Sequence, residues 1–219
     1  MLRTTEFYSI DTLCEFLKNI PLQVAGEYEL VLNIGEFDLN TADKIHDSGA
    51  DGIYHALRLR EGIDTIFDPK DRMHTLASVR DSKLKLIHLV EPVGPEHTNE
   101  EIADVLLNSI DYGVVISGAM ARTPVKGTPL GELPALNEKR LAQIIAVTRL
   151  TSGVRDICAH PPTKAVIESG ANVVVIERGA IPDTNLSEKA WNAFDAETAK
   201  SYFKECGYNV VQERTHKLI

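Results

Sequence analysis

The chain alternates short apolar, β-branched runs with longer segments whose apolar residues recur every three or four positions. That alternation marks βα units around a parallel sheet. Ser9–Ile20 predicts a helix with Leu13, Phe16, Leu17 and Ile20 on one stripe and Pro21 as its stop. Tyr28–Ile34 predicts a strand, and Asn40–Gly49 a helix with an Asn cap and a Gly stop. A strand at Gly52–Leu57, a helix at Asp71–Asp81 and a strand at Leu84–Val90 follow. Thr98–Ser109 opens on T-N-E-E, a cap with acids in the first helical turn. Tyr112–Ser117 reads as a strand, Gly118–Pro134 as a Gly/Pro-rich loop, and Asn137–Thr151 as the clearest helix, with Leu141, Ile144, Ile145, Val147 and Leu150 apolar. The series closes with a strand at Arg155–Ala159, a short helix at Thr163–Ser169 and a buried strand at Asn172–Ile176. Ser187–Gly207 reads as one or two helices and Tyr208–Gln212 as a last extended piece.

No composition break divides this series, so residues 1–219 read as a single domain with 187–219 as a C-terminal helical extension. The fold class expected is α/β: a partial (β/α) TIM-type barrel of about six parallel strands, lacking the first units of the eight that close such a barrel. An incomplete barrel leaves unpaired edge strands and an open interior. The chain is therefore expected to pair with another polypeptide or with a second copy as a homodimer, or to fold its ends back over the gap.

With 219 residues and 43% hydrophobic content, the chain has enough apolar surface for one ordinary core. The net charge of −9 argues against a nucleic-acid or anionic-membrane surface, where a basic excess supplies the affinity. No apolar run is long enough for a bilayer, and the start MLRTTEFYSI lacks the basic-then-apolar layout of a signal peptide, so a cytoplasmic location is expected. Cys14, Cys158 and Cys206 stand far apart, without CxxC or zinc-knuckle spacing, and read as small buried hydrophobes. No metal site is expected: His55, His88, His97 and His160 with Glu91 or Glu96 show no HxH or HExxH spacing. Ser117-Gly118-Ala119 and Gly127 fit no GxGxxG or Walker phosphate loop.

Functional positions of a βα barrel follow the carboxyl ends of its strands. Four such loops here concentrate charge: Arg58-Leu59-Arg60-Glu61-Gly62, Glu91–Thr98, Arg122–Pro129 and Glu177-Arg178-Gly179. A carboxylate meeting an ammonium and an arginine forking onto a carboxylate together suit a zwitterionic small molecule. A different chemistry is offered by KLKLIHLV, where Lys83 or Lys85 would form a Schiff base in a lyase or aldolase-type barrel.

Several of these stretches resemble the radical S-adenosylmethionine (SAM) superfamily, in its biotin synthase and hydrogenase-maturase branch. YHALRLREG at Tyr54–Gly62 with Arg72 in PKDRMHT is similar to the family's fourth strand with its downstream glutamate and arginine. VGPEHTNE resembles its G-x-G-E-T turn, KGTPL at Lys126–Leu130 its Pro-Gly-Thr-Pro-Leu loop, and GANVVVIERG at Gly170–Gly179 its eighth-strand sequence. The resemblance implies that Glu61 faces the methionine amino group of SAM and Arg72 its carboxylate. It adds Arg58, Glu91, Glu96, Thr128, Gly170, Ala171 and Asn172 to the cofactor-binding set. Glu6 in Thr4-Thr5-Glu6 would stand in for the family's G-G-E sequence. The CxxxCxxC loop that binds the family's [4Fe–4S] cluster is not in this chain. The resemblance therefore implies a subunit of a split radical SAM enzyme acting on a small molecule in cofactor biosynthesis. Its cluster would come from a protein partner, and its own SAM binding would be weak or partner-dependent. The alternatives are a non-catalytic ligand-binding or regulatory barrel and the lysine-dependent lyase.

Overall fold

The computed structural model describes residues 2–3, 9–176 and 194–210. Strands β1 (Leu2–Arg3), β2 (Val31–Asn33), β3 (Gly52–Tyr54), β4 (Lys85–Ile87), β5 (Val90–Val93), β6 (Ile116–Ala121), β7 (Asp156–His160) and β8 (Val173–Val174) form one sheet. Every pairing among them is parallel. The order is β1-β2-β3-β4-β6-β7-β8, with β5 also on β6, so β4 and β5 are two parts of one rung interrupted at His88-Leu89. Helices α1 (Ile10–Gln23), α2 (Leu39–Asp47), α3 (Pro69–Asp81), α4 (Asn99–Asp111), α5 (Glu138–Ser152) and α6 (Lys164–Glu168) lie between successive strands, and α7 (Ala196–Glu205) follows. Consecutive strands joined through helices in spatial order make a partial TIM-type barrel, with β1 and β8 as its edges among the described residues.

Parallel partners point to the same face, so the register sorts the side chains. Leu32, Ile53 and Leu86 share the helix-facing side and join Leu13, Leu17, Ile45, Leu76 and Val79 of α1–α3 in one buried cluster. Val90, Ala119, Ile157 and Ala159 do the same with Ile102, Leu106, Leu141, Ile144 and Ile145 of α4 and α5 in a second. The opposite, inner face receives Tyr54, Ile87, Ile116, Gly118 and Cys158. Gly118 has φ +143, and a Cβ there would meet the Cys158 carbonyl oxygen at 1.8 Å, so only glycine lets β6 and β7 approach at that level.

Most caps follow the sequence, but the Asn expected to cap α2 does not: Asn40 lies inside that helix, whose cap is Asp38. Thr98 and Glu101 make a reciprocal capping box on α4, and Asp38, Asp68 and Asn137 each accept an amide in the first turn of their helices. Several boundaries differ from the sequence expectation: β2 and β3 are shorter than Tyr28–Ile34 and Gly52–Leu57, α3 starts two residues earlier at Pro69, and three others have a clear local cause. α1 runs through Pro21 to Gln23, because the proline sits in the last turn, where the next amide bond (Val24 to the Ile20 carbonyl) still forms. β6 begins at Ile116, not Tyr112: Tyr112 and Gly113 (φ +78) terminate α4 instead, and Gly118 is inside the strand. The Tyr208–Gln212 extension forms no strand over 208–210, and its remainder lies outside the described residues.

The amino end of the β7–β8 pair is fastened by Arg149 of α5. Its guanidinium donates to the carbonyls of Gly170 (3.0 and 2.8 Å) and Arg155 (2.6 Å), and to the Asn172 side chain (2.8 Å). Arg149→Ala strands these acceptors and is expected to lower unfolding stability by about 2–3 kcal/mol. Lysine should restore little, since it lacks the planar fork. Urea unfolding of the two variants measures both.

Candidate functional site

The loop that follows β3 is short, charged and tightly held. Leu59 is buried in the β5–α5 core, and its amide donates to the Glu91 carbonyl (2.8 Å). Arg60 adopts a left-handed backbone (φ +53), rare for a residue with a side chain. Its guanidinium compensates by bonding Glu101 at 2.6 and 3.2 Å and the Glu96 carbonyl at 2.9 Å. Glu61 folds back into its own loop, accepting from the Arg58 amide (3.1 Å) and the Thr65 hydroxyl (3.0 Å).

Glu61 and Arg72 meet at this rim. Arg72 Nε lies 3.5 Å from Glu61 Oε2, its Nη1 lies 2.7 Å from Glu36 Oε1, and its guanidinium sits 5.1 Å over the Phe67 ring. The Glu61 side chain is only 1% exposed and that of Arg72 12%. Arg72 Nε is buried with no hydrogen-bond partner, a donor left over at the site.

A second group stands beside the first. Glu91, on the inner face of β5, accepts a hydrogen bond from the Tyr54 hydroxyl, and its other oxygen lies 3.6 Å from Arg58 Nε. Burial pushes the Glu91 carboxyl above its ordinary range, and the Tyr54 bond and Arg58 charge only partly offset that. Burial, followed by the Glu91 charge, likewise drives the Tyr54 phenol well up and the Cys158 thiol to about 12. His55 and His88 lie behind this group. Burial lowers His55 to about 3, reinforced by Arg72, and lowers His88 to about 4. The His88 ring is held neutral by accepting the Leu57 amide on Nε2 (3.0 Å).

The other residues anticipated from sequence are placed as follows. Glu96 gives both oxygens to Arg122 at 3.2 Å, and Arg122 also donates to the Leu130 carbonyl (2.7 Å). Burial works against the Glu96 charge, but the Arg122 bonds bring its pKa below the ordinary value. Gly94 makes room for this carboxylate, since a Cβ there would meet Glu96 Oε2 at 2.2 Å. Thr128 is exposed in the β6–α5 loop, its hydroxyl turned to the Val125 carbonyl (2.8 Å). Gly170, Ala171 and Asn172 are not brought to the rim. They precede β8, at the opposite end of the sheet, where Asn172 accepts the Ile157 amide (2.7 Å) and donates to Asp156 (2.7 Å). In a parallel sheet the residues just before a strand necessarily lie at the amino end. Glu6 and the Glu177-Arg178-Gly179 loop lie outside the described residues.

Lys85 starts β4 and pairs with Glu29 at 3.0 Å, at the amino end of its strand, and Lys83 is exposed before it. Among the described residues no three His, Cys, Asp or Glu side chains converge as metal ligands. The thiols also lie apart: Cys14 in the α1–α3 core, Cys158 on the inner face and Cys206 beyond α7, so this cysteine set does not fit a [4Fe–4S] cluster. Tyr54 and Glu36 are the partners that sequence reasoning gave no role, whereas Arg122, expected in a charged ligand loop, binds Glu96 instead. Strand alternation could have placed Tyr54 opposite Ile53, whereas nothing local marks Glu36. A cleft of about 220 Å³ opens where β6 and β7 end, between Ala121, Arg122, Pro124, Leu136, Glu138 and Pro161.

No family model matches the sequence, and no curated protein matches it. Solved structures do match in fold. Methylornithine synthase superposes with a TM-score of 0.70 at 18% identity, over 92% of this chain and 64% of that one. This chain thus spans under two thirds of that protein. 2,3-Dimethylmalate lyase matches with a TM-score of 0.49 at 11% identity, over 91% of this chain and 74% of that one. Phosphonopyruvate hydrolase, in complex with oxalate and Mg²⁺, also gives 0.49, at 14% identity over 77% and 60%. At 18% identity the likeness to methylornithine synthase is one of fold. No helix of the described residues is long and apolar enough to cross a membrane.

The buried histidines have a measurable consequence. Their folded pKa values of about 3 and about 4 lie below the ordinary 6.5, so the unfolded chain binds more protons between those limits. Stability is therefore full above pH 6.5 and falls as pH drops towards 4, each ring contributing up to about 1.4 kcal/mol per pH unit. Replacing His55 by Gln is expected to flatten that slope by one proton's worth. Chemical denaturation across pH 4–7 reads it.

Proposed function

We propose that this chain is a radical-SAM-like barrel subunit that holds the amino-acid end of SAM at its carboxyl rim while a separate polypeptide supplies the iron–sulfur cluster. The observation that carries this reading is the meeting of Glu61 and Arg72 at 3.5 Å, on the loop and helix that follow β3. Both come from the stretch whose sequence resembles the family. The fold shared with methylornithine synthase is compatible with the same reading.

The residues at the rim suit such a ligand. Arg72 has a buried Nε with no hydrogen-bond partner, ion-paired with Glu61 at 3.5 Å, and Arg58 presents a half-exposed guanidinium; either can turn to a carboxylate. Glu36 and Glu61 flank Arg72 and offer negative charge to an ammonium. Glu96 and Gly170–Asn172 stand differently. Glu96 is committed to Arg122, and Gly170–Asn172 to Arg149, which leaves the loop after β3 as the ligand-facing part of the set. SAM, when bound with a reducing cluster, supplies radical chemistry; the protein supplies binding and orientation. This chain's cysteines hold no cluster, so no radical step is assigned to its own residues. The partner is a cluster-bearing protein, the ligand a small molecule, and the setting the cytoplasm.

SAM alone is expected to bind weakly, with Kd about 1 mM, equivalent to about −4 kcal/mol, because one anchor of its amino-acid end is missing. Titration followed by amide NMR should perturb Arg58–Gly62 and the start of α3, and Arg72→Ala should remove those shifts. Perturbation confined to the amino ends of the strands, or none at all up to about 10 mM, would sink the reading. Anaerobic reconstitution with iron and sulfide is expected to leave the isolated chain without a stoichiometric cluster absorbance. Cluster uptake at about four irons per chain would remove the need for a partner.

A further inference from the structure

The geometry points to a second activity, one that needs neither SAM nor a cluster. Glu91 is an acid–base residue that exchanges a proton with the carbon beside the keto group of a small 2-oxo acid, whose carboxylate is forked by Arg58. The inference goes beyond the reading above and stands or falls separately from it.

Four observations carry it. Register puts Tyr54 on the inner face, opposite the helix-packed Ile53, and Glu91 meets it there through the phenol hydroxyl. The side chain of Glu91 is 3% exposed, and Tyr54 occupies Oε2, so the single open acceptor is Oε1. That oxygen looks at Arg58 Nε across 3.6 Å, too long for a good hydrogen bond. The Arg58 side chain is 44% exposed, so the one cation over the carboxylate can reach outward to an incoming anion. A structural ion pair would be expected to close to a bidentate contact, as Arg122 does with Glu96.

The chemistry sets the ligand class. A guanidinium forks onto a carboxylate, and a carboxylate base is strong enough to deprotonate carbon only where a neighbouring ketone accepts the electron pair. The C3–H bond breaks and its proton goes to Glu91 Oε1. The electron pair forms the C2–C3 double bond, and the carbonyl pair moves to oxygen as an enolate beside the remaining Arg58 N–H groups. Return of a solvent-exchanged proton from Glu91 regenerates the ketone, so nothing is oxidised or consumed. Burial makes Glu91 a stronger base than an ordinary carboxylate, in keeping with this use. Tyr54 is a positioning residue that fixes which oxygen is free. The titratable and charged groups facing Glu91 are Tyr54 of β3, Arg58 and Glu61 of the following loop, and Cys158 of β7.

The test is deuterium uptake at C3 of pyruvate, 2-oxobutyrate and 2-oxoglutarate in D₂O, followed by loss of the proton NMR signal. At least one should exchange with saturation, and Glu91→Gln should slow it by about 100-fold or more. Arg58→Gln should raise the half-saturation concentration more than it lowers the limiting rate. Tyr54→Phe should retain exchange but move its pH midpoint upwards, since the hydrogen bond from the Tyr54 hydroxyl stabilises the Glu91 carboxylate. If all three acids exchange no faster with the native chain than with Glu91→Gln, the inference is overturned. Should Glu91→Gln not fold, Arg58→Gln decides, because its side chain is exposed, and an unchanged half-saturation overturns the inference equally.

Discussion

Each strand of a parallel sheet must send successive side chains to opposite faces, and everything else in this protein rests on how that alternation is filled. Leu32, Ile53, Leu86, Val90, Ala119 and Ile157 go outward beneath the helices, where burial of apolar area supplies the driving force for folding. The alternate positions turn inward, and there the residues are of mixed character: Tyr54, Glu91 and Cys158 beside Ile87 and Ile116. A half-barrel with apolar residues on both faces would expose a sticky interior. One that places a carboxylate, a phenol and a thiol there makes instead a polar floor next to its carboxyl rim.

That floor is costly to build. A buried carboxylate with imperfect pairing raises the free energy of the folded state above its ordinary titration range, because desolvation outweighs the partial compensation from Tyr54 and Arg58. The two buried neutral histidines add an opposite dependence on pH. Such groups persist where surrounding contacts over-determine them. Here the fixing element is the loop after β3, tied to Glu91, Glu96 and Glu101 through Leu59 and Arg60 and to itself through Glu61. The result is a pre-set arrangement of Arg58, Glu61, Arg72 and Glu91, which is what a binding or catalytic site requires of its scaffold.

The opposite end of the sheet is built on other terms. Arg149 and Asn172 gather the loose carbonyls and amides of the α5–β7 and α6–β8 connections into one network. Charge there serves architecture, whereas charge at the carboxyl end faces the opening. The two ends of one sheet thus use the same residue types, arginine and amide or carboxylate, for different purposes. The direction of the strands decides which is which.

The sequence by itself determined the alternation of strands and helices, their order and most of the caps, though α2 is capped by Asp38 and not by Asn40. Those signals are local: a 3.6-residue stripe in α1 and a Thr98/Glu101 box on α4 can each be read within a dozen residues. The grouping of Glu61 with Arg72 was implied by the family resemblance and by no local signal, although only eleven positions separate them. The strand break at His88-Leu89 and the late start of β6 were not, because each depends on which neighbour supplies a hydrogen bond. Nor could sequence show that Gly170–Asn172 serve Arg149, that Glu96 is held by Arg122, or that Tyr54 closes on Glu91 from thirty-seven positions away. Those pairings are made across strands and loops distant in the chain. Only the curvature and register of the assembled sheet bring their partners within hydrogen-bonding reach.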